Sequence, residues 1–391
     1  MINYEKPVLN KEGKPLRILQ CGKHTCIRVI KISRALKKIG YPIDLLTHNK
    51  SYGTKEFDQM IFWHDKRQFQ NFLAENKDKY DIIECHNEPD EMVVWAREVI
   101  SKDDKTKIVS NLHDIDSVRR KESIIPVIER MMVNDADGFV YVSLPTQTMT
   151  NKLHDINKPN MCLYSYCNKD VVDYDESKIK DRNNAIIYEG GANPVNDEVM
   201  NQIYPYRNIL PLLKQLVVNG NEVHAFIGNA DAFLQGQGLG VVLYPPTEYD
   251  KMMKSLVTFK WGALIFNNEK NTEPQVKYTL TNKAQEYLQA GLPSLACWCE
   301  ESEKWVNKHK IGLTFNSIDD IGDCSKFDNV YEQLISNINT KRHELVMENF
   351  IWKSENLYAE LLGVEKKGIP DKIKTINEFE YGKSETEILL K

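Results

Sequence analysis

Two short stretches hold residue types suited to phosphate and sugar recognition. The first is Thr281-Asn282-Lys283-Ala284-Gln285-Glu286-Tyr287-Leu288-Gln289-Ala290-Gly291-Leu292-Pro293. Asn282 suits an N-cap, with Gln285 three residues on as a capping box wants. Gly291 and Pro293 then end the helix. A helix N-terminus attracts phosphate through its free N–H groups and its dipole. Lys283 adds a point charge there, and Glu286, a turn on, is placed to accept from sugar hydroxyls. The second stretch is Ala185-Ile186-Ile187-Tyr188-Glu189-Gly190-Gly191. It is an apolar strand closing on paired glycines, where backbone N–H groups can approach a diphosphate unobstructed. Together these parts suit a nucleoside diphosphate and its ribose.

The elements around them alternate. Arg17 to Gly22 reads as a strand ending in glycine, followed by a helix from Cys26 to Ile39 and a strand from Ile43 to Thr47. This is a Rossmann-like opening without GxGxxG, so it is no dinucleotide fingerprint. The loop Gly22-Lys23-His24-Thr25 lies at the carboxyl end of the first strand, where open parallel sheets bind ligands. Residues 58–78 read as one or two surface helices. Strands then end in His86-Asn87, in His113-Asp114 and in Ser143, which gathers polar residues along one sheet rim. In the second half, Val223 to Gly228, Val241 to Tyr244, Trp261 to Asn267 and Leu292 to Cys297 read as strands, and the helix Tyr249 to Leu256 falls among them. Repeated strand–helix alternation predicts an α/β fold with parallel sheets throughout.

Composition narrows the class. The chain has 391 residues, 41% hydrophobic and 27% charged, with a net charge of −5. That length predicts two domains. The charge offers no global basic field, so nucleic acid is not indicated as a partner. No run of eighteen apolar residues spans a membrane, and Met1 to Pro7 lacks the apolar core of a signal peptide. The eight cysteines form no CxxC pair, which fits a reduced, cytoplasmic chain without structural zinc. In the helix 26–39, Arg28, Lys31, Arg34, Lys37 and Lys38 lie mostly opposite the apolar residues. Such a face offers peripheral contact with an anionic inner membrane surface. The simpler reading is a solvated face.

The Thr281 to Pro293 stretch resembles the nucleotide-sugar site of GT-B glycosyltransferases, above all retaining family 4, with its Lys, Glu-Tyr and Ala-Gly-Leu-Pro pattern. The resemblance extends to the strand ending in His113-Asp114, to Asp137-Gly138 before a strand ending in Ser143, and to Tyr188-x-Gly190-Gly191, and covers about residues 17–363. It implies two Rossmann-like parallel-sheet domains facing a central cleft. An N-terminal acceptor domain (1–170) precedes a nucleotide-sugar domain (171–342). A helix 343–363 crosses back, followed by a charged tail 364–391 that is mobile or docked by Ile369, Ile373, Phe379 and Tyr381. It also implies a basic residue beginning a helix after the glycines. Beyond an insert, Ala192 to Pro205, that residue is Arg207, ahead of a helix Asn208 to Val218.

The implied activity is transfer of a sugar from a UDP- or GDP-sugar to a glycan, lipid-linked or other hydroxyl acceptor, with retention and without a metal. The nucleotide sugar is a co-substrate, and no cofactor is expected. Gly22, Gly190, Gly191, Arg207, Gly228, Asn282, Lys283 and Glu286 are the donor-site candidates. His113 stands where the family places a residue beside the donor sugar, and Asp114 lines the same rim. The triplets Asp114-Ile115-Asp116 and Asp135-Ala136-Asp137 invite a metal reading, but the latter suits a turn and cap before a buried strand. One departure is Tyr278, which stands where family 4 commonly carries a first glutamate, eight positions before Glu286. Competing readings are a nucleic-acid-modifying glycosyltransferase, a nucleotide-sugar 2-epimerase of the same fold and a non-catalytic relative.

Overall fold

A computed structural model describes residues 5–49, 54–87, 89–119, 124–270 and 272–390. The first residues of the expected leader, Met1 to Tyr4, lie outside the described residues. The chain forms two compact units. One runs up to Asn168 and resumes at Met347, and the other is Lys169–Val346.

The first unit holds a seven-stranded sheet. Its strands are β1 (Ile18–His24), β2 (Ile43–Asn49), β3 (Gln59–Phe62), β4 (Ile82–His86), β5 (Lys107–Leu112), β6 (Gly138–Tyr141) and β7 (Asn160–Cys162). They lie in the order β3-β2-β1-β4-β5-β6-β7, and every neighbouring pair is parallel. The second unit holds a six-stranded sheet in the order β10-β9-β8-β11-β12-β13. Its strands are β8 (Asn183–Gly190), β9 (Glu222–Ile227), β10 (Val242–Tyr244), β11 (Phe259–Ile265), β12 (Ser294–Cys297) and β13 (Gly312–Phe315), again all parallel. Each sheet reverses its building direction once, between β1 and β4 and between β8 and β11. Ligands of open parallel sheets bind outside the carboxyl ends of strands at such switch points.

Buried apolar residues from strand and helix interiors make the cores, with Leu19, Phe69, Ile83, Met92, Ile108 and Phe139 on one side of the first sheet. The helix Ile27–Ile39 stops at Gly40, whose φ of 105° is left-handed, a conformation that glycine adopts without a Cβ clash.

Several expectations are corrected. The strand β1 does not end at Gly22. Gly22 pairs with Thr47 and His24 with Asn49, because β2 continues to offer main-chain partners. Residues 58–78 are not only helical: β3 comes first, then the helix Lys66–Asn76, capped by Asp65 accepting from Gln68 N–H. The short β7 was not foreseen. The helix after the insert begins at Leu210 rather than Asn208. The expected helix 343–363 is broken. Asp328–Glu344 and Trp352–Leu362 are separate helices with a tight turn, Met347–Asn349, between them.

The basic face of the first helix is solvated only towards its end, where Lys38 is exposed and Lys37 partly so. Arg28 and Lys31 are buried, and Lys31 Nζ donates to the Ser165 carbonyl at 3.1 Å. Arg34 pairs with Glu56 at 2.8 Å and Lys38 with Glu348 at 2.7 Å, and Lys37 pairs with Asp58. The tail is two docked helices, Asp371–Tyr381 and Lys383–Leu390. They cover the β7 edge: Glu385 accepts from Cys162 N–H at 3.1 Å and the Tyr381 hydroxyl from Tyr164 N–H at 2.9 Å. Of the four anchors, Ile373 and Tyr381 are buried, whereas Phe379 is 52% exposed.

Candidate functional site

In the second unit the β8/β11 switch point brings together Gly190, Gly191, Arg207 and Lys283. Gly190 ends β8 with φ 137°, and a Cβ there would stand 2.8 Å from Lys283 Cε. A Cβ on Gly191 would stand 3.7 Å from Arg207 Cδ. The glycine turn is therefore flanked by two cationic side chains. The Tyr188 hydroxyl donates to the Gly191 carbonyl at 2.8 Å and pins the turn. Arg207 reaches it because the insert folds into a closed excursion. Asn193 N–H donates to the Arg207 carbonyl at 2.8 Å, and Asn193 Nδ2 holds the Met200 and Tyr204 carbonyls. Arg207 then lies over the Tyr204 ring at 4.9 Å.

Lys283 is 9% exposed. Its ammonium lies 4.4 Å from the Phe266 ring centroid and 5.1 Å from that of Tyr188. Among the described residues it pairs with no carboxylate within 4 Å. Burial lowers its pKa, Glu189 and Glu286 oppose that, and Arg207 reinforces it. A buried ammonium without a close ion pair is costly, and an arriving anion would relieve it.

The helix that carries Lys283 spans Asn282–Ala290, and its cap differs from expectation. Thr281 is the N-cap, Asn282 is the first helical residue, and no side chain caps. The capping box fails because, with Thr281 as the N-cap, the third helical residue is Ala284, which has no polar side chain to reach back. Gln285 is instead 1% exposed, and its two side-chain polar atoms meet no partner among the described residues. Glu286 is buried at 2%. Tyr287 has a structural task. Its hydroxyl accepts from Glu189 N–H at 3.2 Å and lies 3.2 Å from the Ala263 carbonyl, tying β8 to β11. Its ring occupies the space over Gly262, where a Cβ would come within 2.6 Å. Gly228 follows β9, with nothing within 4 Å of an added Cβ. Gly22 is in the first unit, inside β1. Tyr278 ends the short helix Pro274–Tyr278.

In the first unit the β1/β4 switch point holds His113. Its backbone N–H donates to Asn87 Oδ1 at 2.7 Å, and Asn87 Nδ2 donates to the Asp114 carbonyl at 2.8 Å. His113 Nε2 is 3.0 Å from His86 Nδ1, and its Nδ1 is 3.7 Å from Cys26 Sγ. Burial lowers the pKa of both rings, that of His86 to about 4. Behind them stand Gln20, Glu84 and Asn111, all fully buried. Asp90, also buried, has its carboxyl pushed up to about 7 by burial and by Glu129. Sequence reasoning missed Gln20, Glu84, His86 and Asp90. For Gln20 and Glu84 the available signal was a polar residue inside an apolar strand at a sheet's switch point; His86 reads only as part of a polar rim, and Asp90, just ahead of the helix Glu91–Arg97, carries no such signal. In the triplet Asp135-Ala136-Asp137, Asp137 accepts from Ile108 N–H at 2.7 Å and pairs with Arg97 at 2.7 Å.

No protein-family model and no curated protein matches the chain, but solved structures do. Sucrose-phosphate synthase from Thermosynechococcus elongatus superposes with a TM-score of 0.66 at 11% identity, over 89% of this chain and 99% of that one. HepE of Anabaena, in complex with UDP and glucose, gives 0.63 at 13% identity, over 89% and 99%. AviGT4, a glycosyltransferase involved in avilamycin A biosynthesis, gives 0.57 at 10% identity, over 90% and 100%. At these identities the likeness establishes the fold: the chain is built of two Rossmann-like parallel-sheet domains of the GT-B type.

Proposed function

We propose that the chain is a glycosyltransferase that moves a sugar from a nucleoside-diphosphate sugar to an acceptor hydroxyl, with retention and without a metal. The observation that carries this reading is the convergence of Lys283 and Arg207 on the Gly190-Gly191 turn. In the reaction the bond from the anomeric carbon to the diphosphate breaks, and a bond to the acceptor oxygen forms. The diphosphate leaves with the electron pair and takes up the proton that the acceptor hydroxyl loses. Lys283, Arg207, the glycine N–H groups and the helix end at Asn282 stabilise the charge that develops on the diphosphate. Glu286 takes the ribose hydroxyls. His113, neutral at ordinary pH, orients a hydroxyl of the sugar or the acceptor, and Asp114 lies beside it.

UDP is the favoured nucleotide, since the HepE structure holds UDP. A cell-surface or lipid-linked glycan is the favoured acceptor, from the family 4 pattern around Lys283 and Glu286. No helix among the described residues is long and apolar enough to cross a membrane. A lipid-linked acceptor would be met at a membrane surface.

Thermal denaturation with UDP, GDP, UDP-glucose and GDP-mannose tests the reading. A ligand at 100 times its Kd adds about 2.7 kcal/mol to the native state. UDP and UDP-glucose are expected to raise the melting temperature by a few degrees, and Lys283→Ala to cut the rise to half or less. No shift with any nucleotide in a folded sample would reject the transferase reading.

A further inference from the structure

A hydrogen-bond chain crosses the β1/β4 switch point, and the direction of every link is forced. Arg28 Nε donates to Asn111 Oδ1 at 2.9 Å. A guanidinium cannot accept, so Asn111 must turn its Nδ2 the other way, onto Glu84 Oε1 at 2.7 Å. Glu84 Oε2 takes the Tyr358 hydroxyl at 2.7 Å and Gln20 Nε2 at 2.8 Å. A carboxylate only accepts, so the Gln20 amide shows it the NH₂ group and turns its oxygen to His86. That oxygen lies 2.5 Å from His86 Nε2, which must therefore carry a proton. A neutral imidazole has one N–H, so His86 Nδ1 is an acceptor. It faces His113 Nε2 at 3.0 Å, and that nitrogen in turn carries the proton. His113 Nδ1 is left with a lone pair, 3.7 Å from the Cys26 thiol.

We propose that Glu84 and Gln20 are positioning residues that lock His86 and His113 in the Nε2-protonated tautomer, so that His113 Nδ1 is a standing acceptor for a ligand hydroxyl. The hydroxyl clause rests on the glycosyltransferase reading; the tautomer clause does not. In the free protein the Cys26 S–H, a weak donor, occupies that lone pair, and burial keeps the thiol protonated by raising its pKa. A sugar hydroxyl is the stronger donor and displaces it. A phosphate oxygen, itself an acceptor, finds nothing there. The site thus reads a neutral polyol at His113, while the cationic glycine turn of the other unit reads the anion.

The histidines also stay uncharged. Burial is the largest cause for each, reinforced at His113 by His86, Arg28 and His24 and at His86 by Arg28, while Glu84 opposes it at His86. The titratable and charged groups around the pair are Glu84 on β4, Arg28 and Cys26 at the start of the first helix, His24 at the end of β1, and Tyr358 from Trp352–Leu362. Burial and Glu84 both push the Tyr358 hydroxyl up, which keeps it a donor.

Long-range proton–nitrogen spectra of protein labelled with ¹⁵N-histidine test the lock, with His86→Gln and His113→Asn assigning the signals. Both rings are expected to show a protonated Nε2 and a lone-pair Nδ1. Glu84→Gln makes the sharper test. Arg28 still holds Asn111, so the new amide must turn its oxygen to Asn111 and its NH₂ to Gln20. Gln20 then flips, and both histidines become Nδ1-protonated, so the two nitrogen signal types exchange places in each ring. Gln20→Met, of similar volume, removes the link and is expected to give mixed tautomers, and a melting curve confirms that each variant is folded. Nδ1 protonation of His113 in the native protein would overturn the proposal, as would native tautomers in a folded Glu84→Gln or Gln20→Met variant. Inorganic phosphate is expected to leave the Nδ1 signal in place; protonation of that nitrogen by phosphate would also overturn it. None of these spectra needs a nucleotide, so failure here is distinct from failure of the transferase reading.

Discussion

At the β8/β11 switch point a buried cation, Lys283, faces aromatic rings and a glycine turn, whereas at β1/β4 a buried carboxylate, Glu84, accepts three internal donors. The first arrangement has its charge compensated only at a distance, by Glu189 and Glu286. An arriving anion would supply the close counter-charge that it lacks. The second is closed within the protein and gains its value from fixed geometry. On the proposed reading, the comparison teaches that a site for a charged ligand and a site for a neutral one differ in what they leave unmet. One lacks a counter-charge, and the other holds ready a single lone pair.

The largest expected effect breaks the closed network. Glu84→Ala leaves the donors of Asn111, Gln20 and Tyr358 facing a cavity, and removing one side of a buried charged network costs about 3–5 kcal/mol. Urea unfolding should show the loss, and an unchanged midpoint would mean that the network contributes no stability.

Acid probes the same region. The folded pKa of His86 is about 4, below its ordinary 6.5. The unfolded chain therefore binds a proton more readily, and stability falls as pH drops from 6.5 towards 4. The loss is on the order of 3 kcal/mol for this ring, at 1.36 kcal/mol per unit. His86→Gln should flatten the dependence of unfolding free energy on pH across that window, and an equally steep profile would assign the titration elsewhere.

At the other switch point the sign of the stability change is expected to differ. Lys283→Ala removes a buried ammonium, so the unliganded protein should melt no lower than the native one. UDP should bind about 10- to 100-fold more weakly, as expected when a charge-assisted hydrogen bond of about 1.5–3 kcal/mol is lost. Calorimetric titration reads this directly, and a marked drop in unliganded stability would show that Lys283 is structural. The smallest effect concerns Tyr287. Tyr287→Phe leaves Glu189 N–H without its partner and should lower stability by about 1–2 kcal/mol with little change in UDP affinity. A large loss of affinity would move Tyr287 from support into the site.

Much of the alternation of strand and helix was legible, because an apolar run bounded by glycine or polar residues forms a buried parallel strand in almost any context. Gly291 as a helix stop was legible for the same local reason, and its φ of 76° agrees. The cap at Asn282 was misread by one residue, because Thr281 and Asn282 are both suitable N-cap types and local sequence does not choose between them. The short strands β3 and β7 escaped because three or four residues carry no period that distinguishes them from a loop.

The amino-acid sequence by itself determined the parallel α/β plan, the paired glycines that end β8 and a helix carrying Lys283 and Glu286. These follow from local periodicity, from glycine's missing side chain and from residue order. Only the tertiary structure decided that Arg207 returns to Gly191 through Asn193, and that Arg28 and Lys31 turn inward. It alone also set Gln20, Glu84, His86 and His113 in one directed chain. Helical and strand periods reveal that an element has two faces, but which face is covered, and by what, depends on partners far along the chain. The proton position on His113 is the extreme case, set by a carboxylate three hydrogen bonds away on a neighbouring strand.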